Sequence, residues 1–208
     1  MDTRVAKLIK LIAFLLLIAT PVHAETKLIG FIGASASSGV GADDSCLNGG
    51  RYLSLPDALA RSSGYWIISA AVAGCSSGDY VRQAGRIANM AQVNGELRLD
   101  ILVIDVVAEC VDNKCSLQQE QELFSRIGEI TAVAEDVYGI HVLVIGYKTG
   151  TKSINPIWAD RFKAKMEGMG IQYAEIYEGI TTIDGVHPDT ISMMKAATKL
   201  KTIIGELN

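Results

Sequence analysis

Five short apolar runs recur along this chain, at residues 27–32, 66–72, 101–107, 141–147 and 171–176, and most are rich in Ile and Val. Runs of that length without polar alternation read as strands buried on both faces, the pattern of a parallel sheet. Between and after them lie amphipathic segments at 55–61, 80–91, 117–138, 156–168 and 190–207, which read as helices. Gly139 and Gly170 stand where helices should end, and Pro156 and Pro188 where helices should start. Strand and helix thus alternate five times. That order predicts one α/β domain, a three-layer sandwich with a five-stranded parallel sheet and helices on both faces. Ligands of such folds bind beyond the carboxyl ends of the strands, so chemistry is expected in the loops that follow them.

The amino end reads differently. Arg4, Lys7 and Lys10 precede an unbroken apolar stretch at 11–19, and Val22-His23-Ala24 fits the small-x-small pattern of a leader-cleavage site. The stretch is short for a bilayer span, which needs about 20 residues. Residues 1–24 are therefore expected to be a signal peptide, 25–208 the working domain, and the destination periplasmic or secreted. No stable membrane span is expected after the leader is removed. Three of the 19 basic and one of the 23 acidic side chains lie in the leader, which leaves a formal charge of −6 on the rest. A mildly acidic domain without a basic cluster is a poor nucleic-acid binder.

Four cysteines follow the leader: Cys46, Cys75, Cys110 and Cys115. An even number in an exported chain suggests disulfides. Cys110 and Cys115 enclose only four residues, so a local bridge is expected there, with Cys46 and Cys75 as the remaining pair. A zinc site is the rival reading. It is weak, because no C-x-x-C occurs and only two histidines, His141 and His187, follow the leader. Neither a metal nor a cofactor is expected.

Two of the loops after strands carry reactive groups. The first is Gly33-Ala34-Ser35-Ala36-Ser37-Ser38-Gly39-Val40-Gly41, which lacks both the dinucleotide spacing G-x-G-x-x-G and the G-K-[ST] of a P-loop. The last is Thr182-Ile183-Asp184-Gly185-Val186-His187-Pro188-Asp189. An Asp three residues before a His can accept the Nδ1–H, fix the tautomer and leave Nε2 to take a proton from a nucleophile. The same pair can also be a surface hydrogen bond. Trp66 and Trp158 are expected to pack in the interior, His141 to be structural, and residues 118–122 to form a solvated helix face.

These two loops resemble the first and last blocks of the SGNH, or GDSL-type, serine hydrolases: G-D-S-L-x-x-G against the run from Gly33, and D-x-x-H, often D-G-x-H-P, against Asp184-Gly185-Val186-His187-Pro188. The resemblance implies a flavodoxin-like sheet and assigns Ser35 as nucleophile, His187 as general base and then acid, and Asp184 as the group that orients His187. It also implies that the N–H groups of Ser35 and of Gly74, in Val72-Ala73-Gly74-Cys75, donate to the oxyanion. The sequence departs from the family at two places. Ala34 replaces the aspartate before the nucleophile. Glu109, in Val107-Ala108-Glu109-Cys110, stands where the family carries an oxyanion-donating asparagine; an ionised carboxylate cannot donate, but a protonated Glu109 could serve as an oxyanion-hole donor.

The resemblance implies an exported serine esterase or acyl hydrolase that works through an acyl-enzyme on a small-molecule, glycan or lipid ester. The acyl group would be an acetyl on a carbohydrate or a lipid chain. Two alternatives stay open: a non-catalytic glycan- or envelope-binding protein, which Glu109 favours, and an O-acyltransferase built on the same triad. Amino-terminal sequencing of the exported protein is expected to start at Glu25; a start inside residues 1–19 would overturn the leader assignment.

Overall fold

The computed structural model describes residues 26–39, 53–106, 116–146, 156–182 and 187–207. Five strands form one sheet: β1 (Leu28–Gly33), β2 (Trp66–Ser69), β5 (Ile101–Asp105), β6 (His141–Gly146) and β7 (Gln172–Glu175). They run in the order β2-β1-β5-β6-β7, and every neighbouring pair is parallel. The helices between them are α1 (Leu55–Ser63), α2 (Tyr80–Met90), α3 (Leu117–Ala132), α4 (Pro156–Gly168) and α5 (Thr190–Glu206). α1 packs on α5, and α2 on α3. Right-handed crossovers put α1 and α5 on one face of the sheet and α2, α3 and α4 on the other. This is the expected three-layer α/β/α sandwich. The direction of winding reverses between β1 and β5, and it is beside such a reversal that open α/β sheets bind ligands.

Local chemistry accounts for the element ends. Ser54 caps α1, its Oγ accepting from Asp57 N at 3.1 Å, with Pro56 in the first turn. Ser116 and Gln119 form a reciprocal capping box on α3, and Asp189 caps α5 through Ser192 N at 2.7 Å. Gly139 and Gly170 have φ of 65° and 71°, the left-handed geometry that ends a helix at little cost to glycine.

β1, β5 and β6 are buried along almost their whole length, and Ile29, Phe31, Ile32, Val103, Ile104 and Leu143 form the middle of the core. β2 departs from expectation. It is an edge strand that ends at Ser69, and Trp66 at its start is 69% exposed rather than packed inside. Trp158 does pack, 7% exposed, against Phe124 and Phe162, whose rings lie 6.0 and 5.4 Å away between centroids. The expected solvated face at 118–122 is interrupted by Glu120. That side chain is buried and bonded to Arg161 of α4 at 2.5 Å, because α4 covers this part of α3.

Two features were not expected. A small hairpin, β3 (Gln92–Val93) and β4 (Glu96–Leu97), turns on Asn94-Gly95, both at positive φ, which is the signature of a type I′ turn. Beyond α3 the helix widens into a π-helical stretch, Val133–Val137. Among the described residues no helix is long and apolar enough to cross a membrane. The two tryptophans supply a test. Trp158→Ala should cost about 3–5 kcal/mol in urea unfolding, as large core truncations do, whereas Trp66→Ala should cost less than about 0.5 kcal/mol, as exposed substitutions do.

Candidate active site

Ser35 follows β1 at the carboxyl edge of the sheet, beside the reversal point, and is half-buried. The chain coils tightly there. Ser38 N donates to Ala34 O at 3.1 Å and Ser35 O at 3.2 Å, Ser38 Oγ donates to Ser35 O at 3.0 Å, and Gly39 N donates to Ala36 O at 3.3 Å. β1 ends at Gly33, whose φ is +152°. A Cβ at that position would lie 2.8 Å from both Asp105 Cβ and Asp105 O, so only glycine lets the loop leave the strand this close to β5.

Two buried polar side chains hold this loop. Gln83 of α2, 2% exposed, accepts from Gly33 N at 2.7 Å and donates to Gly33 O at 3.1 Å. Asp105, the last residue of β5 and 1% exposed, accepts from Ser37 Oγ at 2.5 Å and from Tyr177 OH at 3.4 Å, both on Oδ2. Tyr80 OH donates to the Asp105 carbonyl at 3.2 Å. Ser37 itself is buried. Tyr173 on β7 lies near this group. Burial, then the negative charges of Glu175 and Asp105, push its phenol well above the ordinary value of 10.0.

The other expected site residues come from loops on the same edge. Gly74 follows β2, is exposed and has φ of 77°. Its loop is tied to the first by Val72 N, which donates to Gly33 O at 3.2 Å. His187 is half-buried, with Nε2 shielded from solvent, in the loop between β7 and α5. A bridge between Thr182 and Pro188 pinches that loop shut. Thr181 N donates to Ser192 Oγ at 3.0 Å, and Asp189 N donates to Thr181 O at 3.3 Å. Ser35 and Gly74 thus stand in loops just after strand ends, and His187 in the longer connection from β7 to α5. Asp184, Glu109, Cys46, Cys110 and Cys115 lie outside the described residues, and Cys75 is a half-buried free thiol. Exposed His141 opens β6 at the other end of the sheet.

A polar cleft of about 380 Å³ opens beside the Ser35 loop, lined by Ser37, Ser38, Ser54, Asp57 and Ser69 with a few apolar neighbours. A second space of similar volume is almost wholly apolar and lies between α2 and α3, toward the amino ends of the strands, where no expected site residue stands. Among the described residues no group of three or more His, Cys, Asp or Glu could hold a metal ion.

Sequence reading missed Gln83, Ser37 and Asp105. Gln83 falls on the buried face of α2 with Tyr80 and Ile87, a polar residue at an apolar position, and Asp105 ends an otherwise apolar strand. Each is a polar residue at an otherwise apolar position, a signal that by itself does not point to the Ser35 loop.

No protein-family model matches this sequence, and neither does any curated protein sequence. Solved structures do match. A carbohydrate acetylesterase from Sinorhizobium meliloti aligns over 88% of this chain and 100% of its own, with a TM-score of 0.61 at 14% identity. A Desulfitobacterium hafniense protein assigned to the lipolytic G-D-S-L family aligns over 86% and 99%, with a TM-score of 0.63 at 14% identity. A lipase/acylhydrolase from Enterococcus faecalis aligns over 87% and 96%, with a TM-score of 0.63 at 11% identity. The chain therefore shares the α/β fold of the GDSL-type esterases across nearly the whole length of those proteins. Gly33→Ala should test the packing of the Ser35 loop on β5. An extra methyl in so close a contact should cost about 1–3 kcal/mol, read from urea denaturation, and a cost near zero would show that the loop can retreat from Asp105.

Proposed function

We propose that the chain is an exported serine ester hydrolase, with residues 25–208 as its single domain and Ser35, His187 and Asp184 as its triad. The observation that carries this reading is placement. Ser35 and His187, which the sequence holds near its two ends, lie in loops on one edge of one sheet, with Ser35 at the point where the winding reverses. The shared fold with esterases and acylhydrolases supports the same class of chemistry.

In this mechanism Ser35 Oγ attacks the ester carbonyl while His187 Nε2 takes the hydroxyl proton. The tetrahedral oxyanion is met by the N–H groups of Ser35 and Gly74. The intermediate collapses to an acyl-enzyme, and His187 returns the proton to the departing alcohol. Water, deprotonated by His187, then releases the acid and restores Ser35. A sugar hydroxyl in place of water would make the same site an acyltransferase. The cleft beside the Ser35 loop is rich in hydroxyls and carries one carboxylate, Asp57, which suits a hydroxyl-bearing partner. That favours acetylated carbohydrate over lipid acyl ester. An oxidising compartment would let Cys75, a free thiol in this structure, pair with Cys46, and Cys110 with Cys115. Glu109 supports a second reading, in which the site binds a glycan without turnover.

Ser35→Ala and His187→Ala should each reduce ester hydrolysis by at least about 1000-fold, and Asp184→Ala should reduce it less, because its role is orientation. A fluorophosphonate should attach to Ser35 in the wild type. Wild-type turnover in Ser35→Ala would end the triad reading. Absence of turnover and of labelling in the wild type, across aryl, acetyl-sugar and acyl esters, would favour the binding reading.

A further inference from the structure

Ser35 is suspended between two anchors. Ahead of it, Gln83 holds both backbone groups of Gly33. Behind it, Ser37 Oγ donates to Asp105 at 2.5 Å. We propose that Asp105 is a positioning residue for Ser35: it acts through Ser37, with Gln83 fixing the other end of the loop. The proposal rests on the reading of Ser35 as the nucleophile.

Ser37 and Asp105 are each 1% exposed, so neither offers its polar end to a substrate in bulk solvent. A hydroxyl that donates to a buried carboxylate makes a strong, charge-assisted bond, and the carboxylate is costly to leave short of donors. The Ser37 side chain is thereby held in one direction, and the turn that contains Ser35 is held with it. Asp105 cannot follow a drifting loop. Tyr177 OH donates to the same Oδ2, and Tyr80 OH secures the Asp105 carbonyl. Gly33 approaches Asp105 too closely to leave room for a Cβ, so the loop has a hard stop on β5. The anchors come from α2 and β5, two elements on which the sheet itself is built. Ser35 thus inherits the rigidity of the core although it sits in a loop.

The test compares side chains at Ser37. Ser37→Ala should lower kcat by about 10- to 100-fold with KM within about two-fold, because a misplacement near 1 Å can cost about 100-fold in rate. Fluorophosphonate labelling of Ser35 should slow by the same factor. Ser37→Thr keeps the hydroxyl and should restore most of both. If Ser37→Ala does not fold, Ser37→Cys keeps the size with a weaker donor and should fall between wild type and a ten-fold loss. Ile127→Val, a core change in α3 away from the loop, should lower the unfolding midpoint and leave labelling at the wild-type rate. Wild-type kinetics in Ser37→Ala, no recovery in Ser37→Thr, or equal slowing in Ile127→Val would each overturn the proposal. If the wild type is not labelled at Ser35, the nucleophile reading fails, and amide exchange at Ser38 and Gly39 decides the anchoring. Exchange that quickens in Ser37→Ala and returns in Ser37→Thr upholds it, and unchanged exchange overturns it.

Discussion

Parallel pairing of β1 with β2 on one side and β5 on the other buries the strand from Ile29 to Gly33 and brings two strand ends together at one edge. Each parallel ladder runs out at that edge with carbonyl groups that still need donors. Here they receive them from side chains and from a neighbouring loop. Gly33 O accepts from Gln83 Nε2 and Val72 N, and Asp105 O accepts from Tyr80 OH. The polar residues buried at the carboxyl edge are thus a consequence of how the sheet ends, and the Ser35 loop is built on the same bonds. Among the described residues the amino edge shows no such buried polar cluster, and the groove between α2 and α3 there is lined by Leu97, Leu99 and Ile140.

Burying Asp105, Gln83 and Ser37 in a domain of this size is costly unless each finds partners. All three do, and those partners lie on β1, the Ser35 loop and the segment after β7. The network therefore joins four stretches that are far apart in sequence. It sits directly under the loops that carry Ser35 and Gly74, which is where a reacting group would need a fixed frame. The tie from Val72 N to Gly33 O means that the two loops cannot move independently.

The fold was legible because its signals are long and repeated. Apolar runs without alternation marked β1, β5 and β6, and the helix-ending glycines Gly139 and Gly170 agreed with them. The same reasoning failed at β2. An edge strand has only one neighbour, and whether a tryptophan at its start is covered depends on a helix position that no local pattern records. Glu120 failed for the related reason that burial by α4 is a tertiary fact. The hairpin turn was legible in principle from Asn94-Gly95, since that pair favours the φ values it adopts. Of the candidate site, Ser35 was assigned by resemblance to the first block of a known family, whereas the strand-end loops were readable from the alternation of strand and helix. The anchors were not, since a Gln on an apolar helix face and an Asp at a strand end gain meaning only when β5 is known to lie beside β1.

The strand order has a further consequence, in time rather than in space. β1 is the first strand made, yet both its partners come later, and β5 comes much later than β2. Pairing across such separations is slow, because the chain between must first lose its freedom. After β2 docks, one edge of an apolar strand still faces solvent, an open template for another chain. Arrival of β5 closes that edge and, in the same event, delivers Asp105 to Ser37. The Ser35 loop therefore takes its held shape in the same step that completes the central pairing of the sheet.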